Sequence, residues 1–442
     1  MIVGDVRVRR ARLLVVVAAV AACSAILWLS RSYTFYFDEW SFILTAQDWT
    51  WLTYLEPHNQ HPVMATRAIY AVLLSTVGLR SYAPYMAVLL LLHATSALLL
   101  FELMRRRAGD VIALACAAML LVLGAGWESL LWALQIAYNG SVACGLGLLF
   151  AIEGTPGRGR LAIAAILAAA SMTFSAIGLF FVIVAGAWLI LARTPRRDLF
   201  WFAPAALAFG TWYLVLGRHG TPMVPPPTAA NVLLLPEYMA WGLAGSVAGL
   251  IGVTGSASFV VLALALAAVG FSWWREHPDP LSASAAVGLV AFYGFTDLTR
   301  AQLGVEQAAS GRYVYVGAVL WLILLAAPAR RLPWRGIWRP ALIACLFLAC
   351  FNSSVLLVEY ATAKTQLMAR EVADLQALAA VRTDPCLNPA GAVDVLVMPY
   401  VMSPALYYRA IDRYGDPSAG LPVTDQTDFA RARLNLVSNG CR

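Results

Sequence analysis

Long apolar windows alternate with short polar, arginine-bearing segments along almost the whole chain. The windows run for roughly 17–25 residues, the length at which a helix rising 1.5 Å per residue crosses about 30 Å of hydrocarbon. A membrane barrel would instead show alternating strands of about ten residues, and no such alternation is visible. The pattern predicts spans over residues 13–30, 82–104, 111–126, 130–152, two within 161–191, then 199–216, 259–274, 281–297, 313–327 and 341–358, eleven in total. Residues 161–191 would make a helix of about 46 Å, too long for one pass. A turn is therefore expected within 171–178 (SMTFSAIG), where small and hydroxyl residues can satisfy freed backbone groups. A proline-rich loop (TPMVPPPT) begins at Thr221, and the glycine-rich stretch 237–255 is expected to dip into the membrane without crossing.

Between the first two spans lies the most polar and aromatic loop of the chain, YFDEWSFILTAQDWTWLTYLEPHNQHPVMATR over residues 36–67. Residues 41–55 suit a helix lying in the membrane interface, with Trp40, Trp49, Trp51 and Tyr54 at headgroup depth. Residues 63–78 are too few for a comfortable span and contain Arg67; a crossing there would put every later arginine cluster on the opposite side. They are expected to form a second interfacial helix. The C-terminal segment 360–442 is too polar for membrane, and its pattern predicts a helix over 362–381, a strand over 393–399 and a short helix near Tyr407. The expected fold is thus an all-α polytopic membrane protein of about eleven transmembrane helices, divided as a membrane domain 1–359 and a small α/β tail domain 360–442.

Composition agrees: 61% of residues are hydrophobic and 12% charged, against about a quarter charged in soluble domains, and mean hydropathy is +0.72. The net charge of +7 does not point to nucleic acid, because the arginines sit in short clusters between spans instead of forming one basic face. Clusters such as Arg105 to Arg107 and Arg193, Arg196 and Arg197 recur in every second loop, on the same side as the N-terminal arginines, so the positive-inside rule places the N-terminus in the cytoplasm. The Asp38 loop and the C-terminal tail are then extracytoplasmic. No convincing cleavage site precedes Arg31, so the first helix is expected to be retained in a plasma membrane. Lys364 is the only lysine beside abundant arginine and alanine, a bias of GC-rich bacterial genomes. Cys386 and Cys441 both fall in the outer tail, where a disulfide between them would contribute roughly 4 kcal/mol.

Several polar residues gather at the outer ends of the spans. Adjacent carboxylates cannot both face one cleft from a regular element, so Asp38 is the candidate general base and Glu39 a metal or hydrogen-bond partner; the alternative is that Asp38 only caps the helix that follows. His58, Asn59 and His61 are placed to meet a phosphate or an acceptor, or are simply solvated; as zinc ligands the histidines lack an evident third partner. Arg67 wants an anion or must snorkel. Glu128 and Gln135, seven apart, would share one face of a continuous helix, Glu128 as a second acid or as a dipole partner. Arg312 and Tyr313 open a span as a phosphate clamp or an interfacial anchor. Asp297, Arg300 and Glu306 are close enough in sequence to pair with one another.

The motifs FDEW (37–40), HNQHP (58–62), GWESLLWALQ (126–135) and SGRYVYV (310–316), set in this architecture, resemble the GT-C superfamily of integral-membrane glycosyltransferases. The resemblance implies a polyprenyl-phosphate sugar as donor and a cell-envelope glycan, lipid or protein as acceptor. It also implies a first-loop acid acting as base or as ligand to Mg²⁺ or Mn²⁺, and basic and aromatic side chains holding the lipid phosphate. The activity expected is hexosyl or pentosyl transfer. Two other classes compete: a transporter or flippase of a lipid-linked saccharide, which should carry ionisable residues within its spans, and a catalytically silent scaffold of an envelope-assembly complex.

Overall fold

The computed structural model describes residues 2–219, 227–333, 335–400 and 403–438. Thr221 to Pro226 of the proline-rich loop, and Cys441, lie outside the described residues. Among the described residues the chain is helical, with two isolated bridges, His58 to His61 and Leu387 to Val437, and no strand. Nine helices among them are long and apolar enough to cross a membrane, and the apolar helices Met64–Thr76, Asp110–Leu121 and Gly178–Leu191 are shorter. The protein is an all-α polytopic membrane protein.

Several elements differ from the sequence pattern. Ala230–Gly249, expected to contribute only a shallow dip, is a regular 20-residue helix. Trp338–Ala380 is one helix of 43 residues, so the expected last span and the expected helix over 362–381 are continuous. The strand expected over 393–399 is a turn: the Asp394 carboxylate accepts from the backbone N–H groups of Leu396 (2.8 Å) and Val397 (3.2 Å), and the Met398 N–H closes back on the Asp394 carbonyl at 2.8 Å. A short acceptor side chain that bonds its own backbone competes with strand pairing. The tail's helices are Pro404–Tyr414 and Gln426–Leu436. Cys386 is disulfide-bonded.

The chain divides into two compact units. The first comprises Met1–Ala25, Leu55–Val63 and Leu89–Val358. Its interior is built on Ile136–Ile152 and Gly311–Ala329, whose side chains are nearly all buried, whereas the helical stretches Arg196–His219 and Gly255–Arg275 keep most of theirs exposed, as lipid-facing helices do. Close helix approach relies on small residues: a Cβ on Gly145 would stand 2.2 Å from the Phe181 ring. The turn expected within 171–178 falls between Arg158–Phe174 and Gly178–Leu191. There Ser141 and Ser171 exchange hydroxyl-to-carbonyl hydrogen bonds, both 2.7 Å, and the Ser141 hydroxyl also lies 3.3 Å from the Ser175 carbonyl at the break.

The second unit comprises Ile26–Tyr54, Met64–Val88 and Glu359–Arg442, so the first loop, apart from Leu55–Val63, folds with the C-terminal segment. Its core is aromatic: Phe35 meets Tyr82 and Tyr85 edge-on at 5.1 and 4.8 Å, Phe42 meets Tyr70 at 5.4 Å, and Trp40 meets Tyr407 at 5.7 Å. Trp40, expected at headgroup depth, is fully buried, and its indole N–H donates to Glu371 at 2.9 Å. The single interfacial helix expected over 41–55 is split into Glu39–Thr45 and the short turns Ala46–Asp48 and Thr53–Leu55. Trp49 leaves helical geometry (ψ 127°), while its indole donates to the Thr45 hydroxyl at 3.0 Å.

Candidate functional site

In the second unit the acidic pair faces two ways. Asp38 occupies the position before Glu39–Thr45, yet its side chain makes no capping hydrogen bond. Its carboxylate accepts from the Tyr400 hydroxyl at 2.7 Å and is only half-buried. Burial, then the Asp38 charge and this bond, push the Tyr400 phenol above its ordinary range, so it remains a donor. Phe37, just before Asp38, is held at φ +52°, a left-handed conformation that bulky residues avoid, and its ring lies 6.3 Å from that of Tyr400. Strain of this kind persists where surrounding contacts over-determine the backbone, and it gathers at functional sites.

Glu39 is fully buried and accepts from Tyr70 (2.7 Å), from Tyr82 (3.0 and 3.2 Å) and from the Tyr36 backbone N–H (3.0 Å). Burial pushes its carboxyl up to about 7, against the pull of these donors and of the Lys364 charge. The Lys364 ammonium stands 3.4 Å from the centre of the Tyr36 ring. Both Glu39 oxygens are engaged by hydrogen-bond donors, and among the described residues no three His, Cys, Asp or Glu side chains converge as metal ligands. Of this acidic pair, Asp38 is the carboxylate whose oxygens are less enclosed by donors. Arg67 is buried; its guanidinium donates to the Thr53 carbonyl and lies 5.5 Å from the Phe42 ring centre. It tethers Met64–Thr76 to the loop, a use the sequence did not suggest.

In the first unit the histidine motif forms a two-residue turn. His58 and His61 exchange backbone hydrogen bonds of 3.0 and 2.9 Å, with Asn59 and Gln60 at φ +48° and +68°, the type I′ geometry that favours asparagine. Directly opposed residues project to the same face, so His58 and His61 are neighbours. The turn is anchored by the Arg300 guanidinium, which donates to the Asn59 carbonyl at 2.9 Å, and by the Trp212 indole N–H on the Leu55 carbonyl at 2.7 Å. His61 Nδ1 lies 3.3 Å from the Ser175 hydroxyl at the helix break.

This turn closes one side of a cavity of about 290 Å³, lined by His61, Arg300 and the aromatic rings of Tyr138, Phe180, Tyr213 and Tyr313, among others. Burial, then the positive charges of Arg300, His58 and Arg312, hold the His61 imidazole well below its ordinary value. A pocket whose cations repel one another favours an anion over a cation.

The remaining candidates are near this cavity but used differently. Arg312 pairs with Glu128 at 3.3 Å, lies 5.2 Å from the ring centre of the adjacent Tyr313 and does not line the cavity. Glu128 also accepts from the Arg312 backbone N–H at 3.2 Å, so its carboxylate sits at the N-terminus of Gly311–Ala329, where the helix dipole favours it. The shared helical face expected for Glu128 and Gln135 does not exist. Glu128–Leu131 ends at Trp132, which is extended (φ −141°, ψ 114°), and Gln135 is buried after a separate turn. Arg300, read as a partner of Asp297 or Glu306, is a buried cavity residue; the Asp297 side chain is fully buried with neither oxygen hydrogen-bonded. Tyr138 was likewise missed, its aromatic character being common to the spans.

No protein-family model matches the chain, and no curated protein is significantly similar to it.

Proposed function

We propose that this protein is an integral-membrane glycosyltransferase that moves a sugar from a polyprenyl-phosphate donor to a cell-envelope acceptor on the outer face of a bacterial plasma membrane. The observation that carries this reading is the cavity that joins a buried arginine and an uncharged histidine to tyrosine and phenylalanine rings. A guanidinium is shaped for a phosphate, and aromatic faces suit the apolar face of a sugar or the first units of a prenyl chain. His61 and Tyr313 line the cavity with Arg300, His58 and Asn59 belong to the turn that carries His61, and Arg312 acts through its charge.

The chemistry assigned to Asp38 is general-base catalysis. Its carboxylate takes the proton of the acceptor hydroxyl; the hydroxyl oxygen bonds to the anomeric carbon, and the bond from that carbon to the phosphate oxygen breaks. The phosphate leaves with its electron pair. Mg²⁺ or Mn²⁺, if required, would neutralise the phosphate and would bind through few protein carboxylates together with the phosphate itself.

A second reading, translocation of a lipid-linked saccharide, is favoured by one observation, the buried carboxylate of Asp297 in the apolar helical stretch Pro280–Leu303. Purified full-length protein should be incubated with radiolabelled polyprenyl-phosphate sugars and envelope extract containing a competent acceptor. Label transfer by the wild type that Asp38→Asn abolishes, with folding intact, supports the enzyme. Donor binding without transfer by either protein overturns it, and vesicle transport lost in Asp297→Asn would establish translocation.

A further inference from the structure

A second cavity, of about 650 Å³, lies in the first unit among Ala83–Ala108, Ile136–Ile152 and Arg158–Phe174. Its walls are apolar, with Cys144, Gly147, Phe150 and Leu167 among them, and two cations, Arg106 and Arg160, stand at one end. Both cations are fixed. Arg106 pairs with Glu153 at 2.9 Å and lies 4.3 Å from the centre of the Phe150 ring; Arg160 donates to the carbonyls of Glu153 (2.8 Å) and Phe150 (3.2 Å). Arg106 uses one terminal nitrogen for its pair, Arg160 uses one for both carbonyls, and both side chains reach the surface. Glu153 is the one acid in these contacts, and it is shared with Arg107 at 3.6 Å. Arg158 adds a further exposed cation at the start of its helix.

We infer that this cavity is a binding site for an anionic phospholipid, with one acyl chain along the apolar walls and the phosphate at Arg106 and Arg160. Three features select that occupant. Two of its three helices are apolar and long enough to cross a membrane, so its apolar walls lie at the depth of the acyl chains. Basic pockets between membrane helices bind anionic headgroups. The excess of arginine over acid at the mouth disfavours the ammonium of a zwitterionic lipid. The inference uses no residue of the proposed donor cavity and stands or falls separately from it.

Full-length protein in detergent, titrated with phosphatidylglycerol and with phosphatidylcholine and read by native mass spectrometry, tests the site. The expected result is preferential retention of phosphatidylglycerol, reduced about tenfold or more in Arg106→Gln/Arg160→Gln, as the loss of two cations near a phosphate implies. Gly147→Leu should lower retention of the lipid as well, since a Cβ there already stands 3.2 Å from Leu167 and a longer side chain fills the slot. Equal retention of both lipids, or unchanged retention in a double variant with the wild-type unfolding midpoint, overturns the inference. Should the variants fail to fold, wild-type Cys144, half-buried in the wall, provides the readout. Phosphatidylglycerol should slow its maleimide labelling, read by peptide mapping, and glycerol phosphate should not. Equal labelling with and without phosphatidylglycerol, or protection by glycerol phosphate, rejects a lipid site.

Discussion

The Tyr400 hydroxyl reaches the Asp38 carboxylate at 2.7 Å across 362 positions of sequence. That bond gives Asp38 an orientation while leaving it half-buried, as the proposed role of base requires. Tyr400→Phe removes the donor and leaves the carboxylate. The expected outcome is a fall in kcat with little change in donor KM, and a stability loss of about 1.5–3 kcal/mol, the range for a hydrogen bond to a charged group. Steady-state transfer kinetics beside thermal unfolding separate the two. An unchanged kcat would deny Tyr400 a positioning role.

Glu39 gives the second unit a pH signature. Its folded-state value, about 7, stands above the ordinary carboxylate value of 4.5, so the folded protein holds a proton that the unfolded chain has released. Stability from this group is fully present below about 4.5 and is lost as pH rises through 7, on the order of 3 kcal/mol in all. Subtracting the unfolding free energies of Glu39→Gln from those of the wild type between pH 5 and 8 should show this slope; parallel curves would contradict it.

His61 works in the opposite direction. Its folded-state value is depressed, so below about 6.5 the unfolded chain binds a proton that the folded protein refuses. Stability is lost as pH falls from there toward the folded value, and His61→Asn should reduce that loss. Acid unfolding midpoints of the two proteins provide the comparison.

Under the proposed function, Arg300 is the first-unit cation expected to meet an anionic donor. Arg300→Gln is expected to weaken binding of a non-transferable polyprenyl-phosphate sugar by about tenfold or more, the loss of a charge-assisted contact. Arg312→Gln should have the smaller effect, because its guanidinium is paired with Glu128 and lies off the cavity. Calorimetric titration of both variants would show the order; the reverse order would return Arg312 to the phosphate.

Glu128 is expected to serve structure. Glu128→Gln keeps an acceptor for the Arg312 backbone N–H and should retain most turnover, whereas Glu128→Ala exposes the end of Gly311–Ala329 and should cost about 1–2 kcal/mol more. Loss of transfer in a stable Glu128→Gln protein would restore it as a catalytic acid.

The membrane-spanning character of the chain was legible because lipid imposes a one-dimensional requirement, an apolar run long enough to cross with every backbone group satisfied within the helix. The break near Ser175 was legible for the same reason: a stretch too long for one pass must turn, and the serines mark where. The polar loop between the first two spans also announced itself by composition. What the pattern could not determine was which partner each polar group would choose. Spacing alone suggested that Asp297 and Arg300 could pair, yet Arg300 reaches the Asn59 carbonyl, 241 positions away. Glu128 and Gln135 matched a helical face that ends at Trp132. The sequence left Asp38 open to a capping role that its side chain does not take, turning to Tyr400 instead, and Trp40 resembled an interfacial anchor until Glu371 accepted its indole N–H. Hydrophobic length is a property of neighbours in sequence, whereas hydrogen-bond partners and charge burial are set by neighbours in space, and only the tertiary structure brought those together.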